Sequence, residues 1–187
     1  VGLALHPDTG EVWATNNGRD GMGDDLPPDN VYIVREGKQY GWPVCHSGHI
    51  VDPDLGSEGA CDGVEAALAE LQAHSAPLGL VFYPQEFAES EASGSSPFPA
   101  EYWGDLFIAY HGSWNRSVPT GYKVVRLPLN GSQPAGPIED FAAGWLDERD
   151  GSASGRPVGL AVGPDGSLFV SDDSGGIIYR IRYEGNG

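Results

Sequence analysis

Apolar and polar positions along the chain fall into short alternating runs separated by turns, and the same order of runs comes round three times. "VGLALHPDTGEVWATNNG" opens at Val1, "PLGLVFYPQEF" begins at Pro77 and "PVGLAVGPDGSLFVSDDSGG" begins at Pro157. Their shared glycines, Gly2, Gly79 and Gly159, lie 77 and 80 positions apart. In each unit a short apolar strand (residues 3–5, 80–82 and 160–162) runs into a Pro or Gly turn. A second strand follows ("EVWAT", "DLFIAY", "SLFVS"), then a polar glycine loop, then a third strand ("NVYIV", "YKVVRL", "IIYRIRY"). Such runs, rich in Val, Ile, Phe and Tyr and bounded by turn residues, predict β-strands. A fourth element is expected near "YGWP" in the first unit and near "DFAAGW" in the second, and the third unit stops short of one. Three or four antiparallel strands repeated radially predict an all-β chain: a partial β-propeller of about three blades, with units at about residues 1–72, 73–150 and 151–187.

The repeat is longer than the roughly 40–50 residues of a usual blade, and insertions account for the surplus. "VEAALAELQ" (residues 64–72) places Val64, Leu68 and Leu71 at i, i+4 and i+7, which predicts one short helix. "ESEASGSSPFP" has no core-forming pattern and reads as a low-complexity loop. Propellers close with roughly 4–8 blades, so three leave two unpaired flanks. The first unit starts at its innermost strand and the last lacks its outermost. The chain therefore reads as the C-terminal part of a larger propeller, its missing outer strand supplied from the N-terminus. An assembly of two or more half-rings is the alternative.

Charge narrows the possible partners. With 27 Asp and Glu against 10 Lys and Arg, the net charge is −17, which argues against nucleic acid and anionic membranes. No run of apolar residues is long enough for a membrane span. The opening "VGLALHPDTG" lacks the basic region and cleavage site of a signal peptide, so an export signal is expected upstream. Cys45 and Cys61 flank "HSGHIVDPDLGSEGA" without a CxxC pair. A disulfide closing this loop fits an oxidising compartment, periplasmic or secreted; two buried free thiols are the alternative.

Against this acidic background the few cations stand out. The loops after the second strands are "NNGRDGMGDD", "HGSWNR" and "DDSGG", while "AHSAPLG" and "GRPVG" precede first strands. In a propeller these segments converge at the channel mouth, bringing together His74, His111, Arg116, Arg156 and Arg19. Such a cluster suits an anionic ligand, because Arg can grip a carboxylate with two parallel hydrogen bonds. Trp114 offers a stacking surface. Each cation has a structural alternative: His74 capping the predicted helix, Arg156 pairing with Asp147 or Glu148, Arg116 bridging neighbouring blades. "GRDGMGDDLPPDN" presents Asp20, Asp24, Asp25 and Asp29 in a flexible loop that suits calcium, without the EF-hand spacing; a solvated turn is the alternative. No GxSxG, HExxH, P-loop or GxGxxG pattern occurs, so serine hydrolase, zincin and nucleotide-binding readings have no support.

Several blocks in order, "GKQYGWP", "HSAPLGLVFY", "FPAEYWGDLFIAYHGSWNRS", "GYKVVRLPL" and "GRPVGLAVGPDGSLFVSDDSGGIIYRI" together with the opening stretch, resemble the glucose/sorbosone dehydrogenase family. Its members are soluble sugar dehydrogenases dependent on pyrroloquinoline quinone (PQQ). The resemblance is nearest to the sorbosone dehydrogenase-like branch. It implies the last half of a six-bladed propeller, with calcium beside the quinone. Calcium is expected at Gly18–Arg19, with Asp24 and Asp25 as further ligands of the same or a second ion. Quinone contacts are expected at His111 and Arg156, with His74, Asn115 and Arg116 close by and Arg19 in the same group. Where better-known members carry a lysine, this chain has His111. The implied reaction is oxidation of an aldose or sorbosone-type sugar, with the electrons passed on to an acceptor such as cytochrome c. The histidine base of the family belongs to the N-terminal half, so no catalytic residue is assigned here. A non-catalytic ligand- or protein-binding propeller and a calcium-dependent, lactonase-like hydrolase remain as alternatives.

Overall fold

The computed structural model describes residues 2–85 and 97–184. Strands β1 (Leu3–Leu5), β2 (Val12–Asn16) and β3 (Asp29–Val34) form an antiparallel meander. A small hairpin, β4 (Cys45–His46) and β5 (Ile50–Val51), follows, and β6 (Ala69–Leu71) returns to β3, giving the order β1-β2-β3-β6. The second sheet repeats the plan with β7 (Pro77–Phe82), β8 (Leu106–Tyr110) and β9 (Lys123–Leu127). After a hairpin of β10 (Leu129–Asn130) and β11 (Gln133–Pro134), β12 (Glu139–Ala142) completes the order β12-β9-β8-β7. The third sheet has three strands, β13 (Pro157–Val162), β14 (Leu168–Asp172) and β15 (Ile177–Ile181).

The spacing of the three repeat glycines has a steric cause. A Cβ on Gly2 would lie 2.4 Å from the Leu78 carbonyl oxygen and 3.1 Å from the Gly79 Cα. A Cβ on Gly79 would meet the Val158 carbonyl oxygen at 2.5 Å and the Gly159 Cα at 3.0 Å. The innermost strands of the three sheets thus touch backbone to backbone, and only glycine permits that approach. Thr15 stitches the first contact: its hydroxyl accepts from the Gly2 N–H at 2.7 Å and donates to the Leu78 carbonyl at 2.8 Å. Ser171 takes the corresponding place in the third sheet, accepting from the Gly159 N–H at 2.8 Å.

The middle strand of the central sheet, β8, is buried on both faces, so it is continuously apolar rather than alternating. Leu106 and Ile108 of β8 pack with Trp13, Val31, Ile33 and Leu71 of the first sheet. Phe107, one position out of phase, packs with Val124, Tyr83 and Leu168 on the side of the third sheet. Each fully buried side chain of this size contributes about 1.5–3 kcal/mol.

Two expectations are corrected. The stretch 64–72 is not helical. Its main chain bonds outward instead: Glu65 N–H to the Gln39 carbonyl, Ala67 N–H to Ser47 and Leu68 N–H to Val31, before β6 pairs with β3. Nine residues make only a marginal helix, and pairing to an open sheet edge wins while still burying Leu71. The fourth strand of the first sheet is accordingly β6 and not "YGWP". The fourth strand at "DFAAGW" and the three-stranded last sheet are as expected. Cys45 and Cys61 are disulfide-bonded, with their Cα atoms 5.3 Å apart. The low-complexity stretch lies outside the described residues through position 96.

The outer faces of the first and third sheets remain open. Leu3 and Leu5 are 71% and 67% exposed on one flank, and Ile178 is 71% exposed on the other.

Candidate functional site

The loops following β2 and β8 and the segments leading into β7 and β13 gather at one end of the sheets. They form two adjoining groups.

The first group is built on loop 17–28. Asp29, buried at the start of β3, anchors it by accepting the Gly18 N–H at 2.7 Å and, across the sheet boundary, the Ala76 N–H at 2.9 Å. Burial pushes the Asp29 carboxyl above its usual range, and those N–H groups and the Ser75 hydroxyl oppose the shift. His74, buried and in the left-handed region at φ 63°, donates from Nε2 to the carbonyls of Gly23 (2.9 Å) and Leu26 (3.1 Å). That leaves its Nδ1 to accept from Asn115 Nδ2 at 3.2 Å. Asn115 also donates to Asp20 at 2.5 Å. Arg116 donates to the Asp24 carbonyl and pairs with Asp25 at 3.1 Å, while the Ser117 N–H binds the Asp24 carboxylate at 3.0 Å. The loop after β8 therefore closes over the acidic loop after β2, and Arg116 does bridge two sheets.

Asp24 and Asp25 are engaged by these donors, and among the described residues no group of three or more His, Cys, Asp or Glu forms a cation cluster. Asp29 is likewise committed to N–H groups. Oxygen donors free to meet a cation are of another kind. Asn17 Oδ1 and Asn115 Oδ1 are both buried and lack a partner among the described residues. Asn17 adjoins Gly18, at the place where calcium was expected. A hard cation takes amide and carbonyl oxygens of this sort, so the donor chemistry fits calcium.

The second group centres on Arg156. Its Nε donates to the His111 carbonyl at 3.1 Å and its Nη2 to the Gly112 carbonyl at 2.6 Å. Its guanidinium lies 5.3 Å from the centre of the Tyr122 ring. Its own N–H is held by Asp172 at 2.9 Å, and Asp172 also accepts from the N–H groups of Ser174 and Gly175. Burial alone would raise the Asp172 carboxyl, but these donors bring it below the usual range. The His111 ring faces Asp173, with Nε2 at 2.9 Å. Arg156 does not pair with Asp147, which is held by Arg149. Every other Lys and Arg makes an ion pair with a carboxylate; Arg156 is the one cation with none among the described residues. The groups meet where His111 N–H and Gly112 N–H bind the carbonyls of Ala76 and Ser75. Trp114 stands 77% exposed beside them.

Arg19 joins neither group. Its guanidinium turns to the disulfide-closed loop and pairs with Asp52 at 2.7 Å and Asp54 at 2.5 Å. Asp29, singled out in the sequence as a carboxylate for calcium, serves instead as an anchor for backbone N–H groups; sequence reasoning missed the anchor Asp172, the amide Asn17 and the acceptor Asp52. Only Asp172 carries a visible signal, an acidic residue closing an apolar strand before a Ser-Gly-Gly turn.

Comparison with known proteins accords with this architecture. The model of the glucose/sorbosone dehydrogenase family matches residues 1–95, and a TrAA12-like model matches residues 54–184. An uncharacterized protein of Borreliella burgdorferi is 37% identical over 98% of this chain and 46% of its own length. A pyrroloquinoline quinone-dependent sugar dehydrogenase of Hypocrea jecorina is 26% identical over 100% of this chain and 48% of its own. The holo pyranose dehydrogenase PQQ domain of Coprinopsis cinerea superimposes with a TM-score of 0.68 at 23% identity, covering 98% of this chain and 53% of that one. The chain spans about half the length of the curated relatives it matches over its whole extent. With a partial propeller, its glycine-packed inner strands and two family models that overlap along its length, the chain belongs to the glucose/sorbosone dehydrogenase family.

Proposed function

We propose that this chain is the quinone-gripping half of a PQQ-dependent sugar dehydrogenase, acting in the periplasm or outside the cell. The observation that carries this reading is Arg156, a cation hydrogen-bonded only to backbone carbonyls, with no carboxylate partner among the described residues, in a protein of net charge −17. PQQ bears three carboxylates, and the fork of Arg156 is suited to one of them. Two backbone carbonyls hold Arg156 on one side, which leaves its Nη1 without a partner among the described residues. Asp173 orients the His111 ring at the same corner. His74, Asn115 and Arg116 hold the neighbouring wall.

Calcium would be held by the Asn17 amide oxygen and the Gly18–Arg19 backbone rather than by Asp24 and Asp25. When bound, PQQ supplies the acceptor for the sugar's hydride, and calcium polarises it. The base that takes the sugar hydroxyl proton belongs to the other half of the propeller, as does much of the sugar pocket. That half would pack against the open flanks at Leu3, Leu5 and Ile178 and provide the outer strand that β15 lacks. The names of the sequence relatives, the Hypocrea enzyme in particular, support this reading.

The test is dye-linked oxidation of aldoses by the intact protein. Activity that requires both calcium and PQQ is expected. Lactone opening with calcium alone would point to a hydrolase, and neither activity to a binding module.

A further inference from the structure

The disulfide-closed loop 45–61 has no role in the reading above, yet it takes hold of the candidate cation loop through a single side chain. Asp52 is fully buried and accepts five hydrogen bonds. Its Oδ2 receives His46 Nε2 at 2.8 Å, its Oδ1 receives the N–H groups of Asp54 and Leu55 at 3.0 and 2.8 Å, and Arg19 Nη1 reaches both oxygens at 2.7 Å. The loop that carries it is rigid by construction. The β4–β5 hairpin and the Cys45–Cys61 bond close it. Gly56 packs its backbone so tightly that a Cβ would fall 2.7 Å from the carbonyl oxygens of both Val44 and Asp52. Ser47 ties it to β3 through Asn30 at 2.9 Å. Arg19 meanwhile donates to the Asp20 carbonyl at 3.2 Å, so the same guanidinium braces its own turn.

Loop 17–28 is therefore held from opposite sides. The wall of His74, Asn115 and Arg116 takes its acidic half, and the disulfide loop takes Arg19. We infer that Arg19 is a positioning residue: through Asp52 and Asp54 the disulfide-closed loop fixes the Asn17–Arg19 backbone and so sets the affinity of the adjacent cation site. This inference rests on the reading that a calcium ion binds there. It assigns Arg19 a task other than contact with the quinone.

The decisive measurement is calorimetric titration of calcium into the intact protein without PQQ, for wild type, Arg19→Gln, Arg19→Lys, Asp52→Asn and the Arg19→Gln/Asp52→Asn double variant, each with its melting temperature. Loss of a partner that orients a metal-binding group typically costs roughly 10–100-fold in affinity. That loss is expected for Arg19→Gln and Asp52→Asn. The double variant should be no weaker than the worse single, since the two act as one device. Arg19→Lys, which keeps the charge and loses the fork, should recover only part of the loss. Wild-type affinity in variants that melt lower would make the pair merely structural and overturn the inference, leaving the proposed function standing. Absence of calcium binding by the wild type would overturn both. Should the Asp52 variant fail to fold, Arg19→Gln, at a partly exposed position, still decides between them.

Discussion

Arg156 is gripped by two backbone carbonyls, and that arrangement decides what it can still bind. A guanidinium with a carboxylate partner would have its charge cancelled, as happens to Arg19 and Arg116. Arg156 was legible in the sequence because it precedes a repeated strand in a chain poor in cations. The fate of Arg19 was not, since Asp52 lies 33 positions away and only the folded disulfide loop brings the two together. Carboxylates at the sites and in the turns at the opposite end of the strands also shape the acid response. The Ser167 hydroxyl and N–H, with Arg180, hold the Asp165 carboxyl down at about 2 against burial. A depressed group stabilises the fold fully above the ordinary carboxylate range and loses that contribution as pH falls toward the folded value. Asp147 and Asp172 are shifted the same way. Asp29, raised by burial, has the opposite sign: its contribution is present at low pH and is lost as pH rises through its folded value. Melting temperature measured by circular dichroism should therefore hold nearly level from pH 7 to about pH 4 and fall steeply below that. Asp165→Asn should flatten the steep limb; an unchanged limb would mean that its turn contributes nothing.

At the scale of elements, strands and turns were readable because both carry local chemistry: apolar runs in strands, Gly and Pro in turns. Strand β6 was not readable. Its Leu68 and Leu71 satisfy a helical period, and the open edge of β3 decides the outcome, which no local window contains. The repeat glycines show the converse, a tertiary contact that leaves a sequence mark. Gly79→Ala would push a Cβ to 2.5 Å from the Val158 carbonyl oxygen, against backbone that cannot give way by rotation. A cost of about 1–3 kcal/mol is expected from such overpacking. Gly136→Ala, whose Cβ would meet only the Pro128 ring at 3.6 Å, should stay within about 0.5 kcal/mol. Urea unfolding of the two variants checks the contrast, and equal stability would refute the close packing of the inner strands.

At the scale of the molecule, three sheets bury a continuous core yet leave an apolar face at each end. The partial ring was legible from the repeat count, because three sheets are fewer than the roughly 4–8 blades with which propellers close. In the intact protein those faces should be interior. Leu3→Lys and Ile178→Lys are then each expected to cost about 1.5–3 kcal/mol, measured by denaturant unfolding. Changes within about 0.5 kcal/mol, as at a free surface, would mean that nothing packs there. The central claim concerns the corner between the second and third sheets, where Arg156 meets His111. Its most direct test is calorimetric titration of PQQ, with calcium present, into the intact protein and its Arg156→Gln variant. A charged hydrogen bond is worth about 1.5–3 kcal/mol, so the variant should bind roughly 10–100-fold more weakly. Equal affinity in the two proteins would contradict the account.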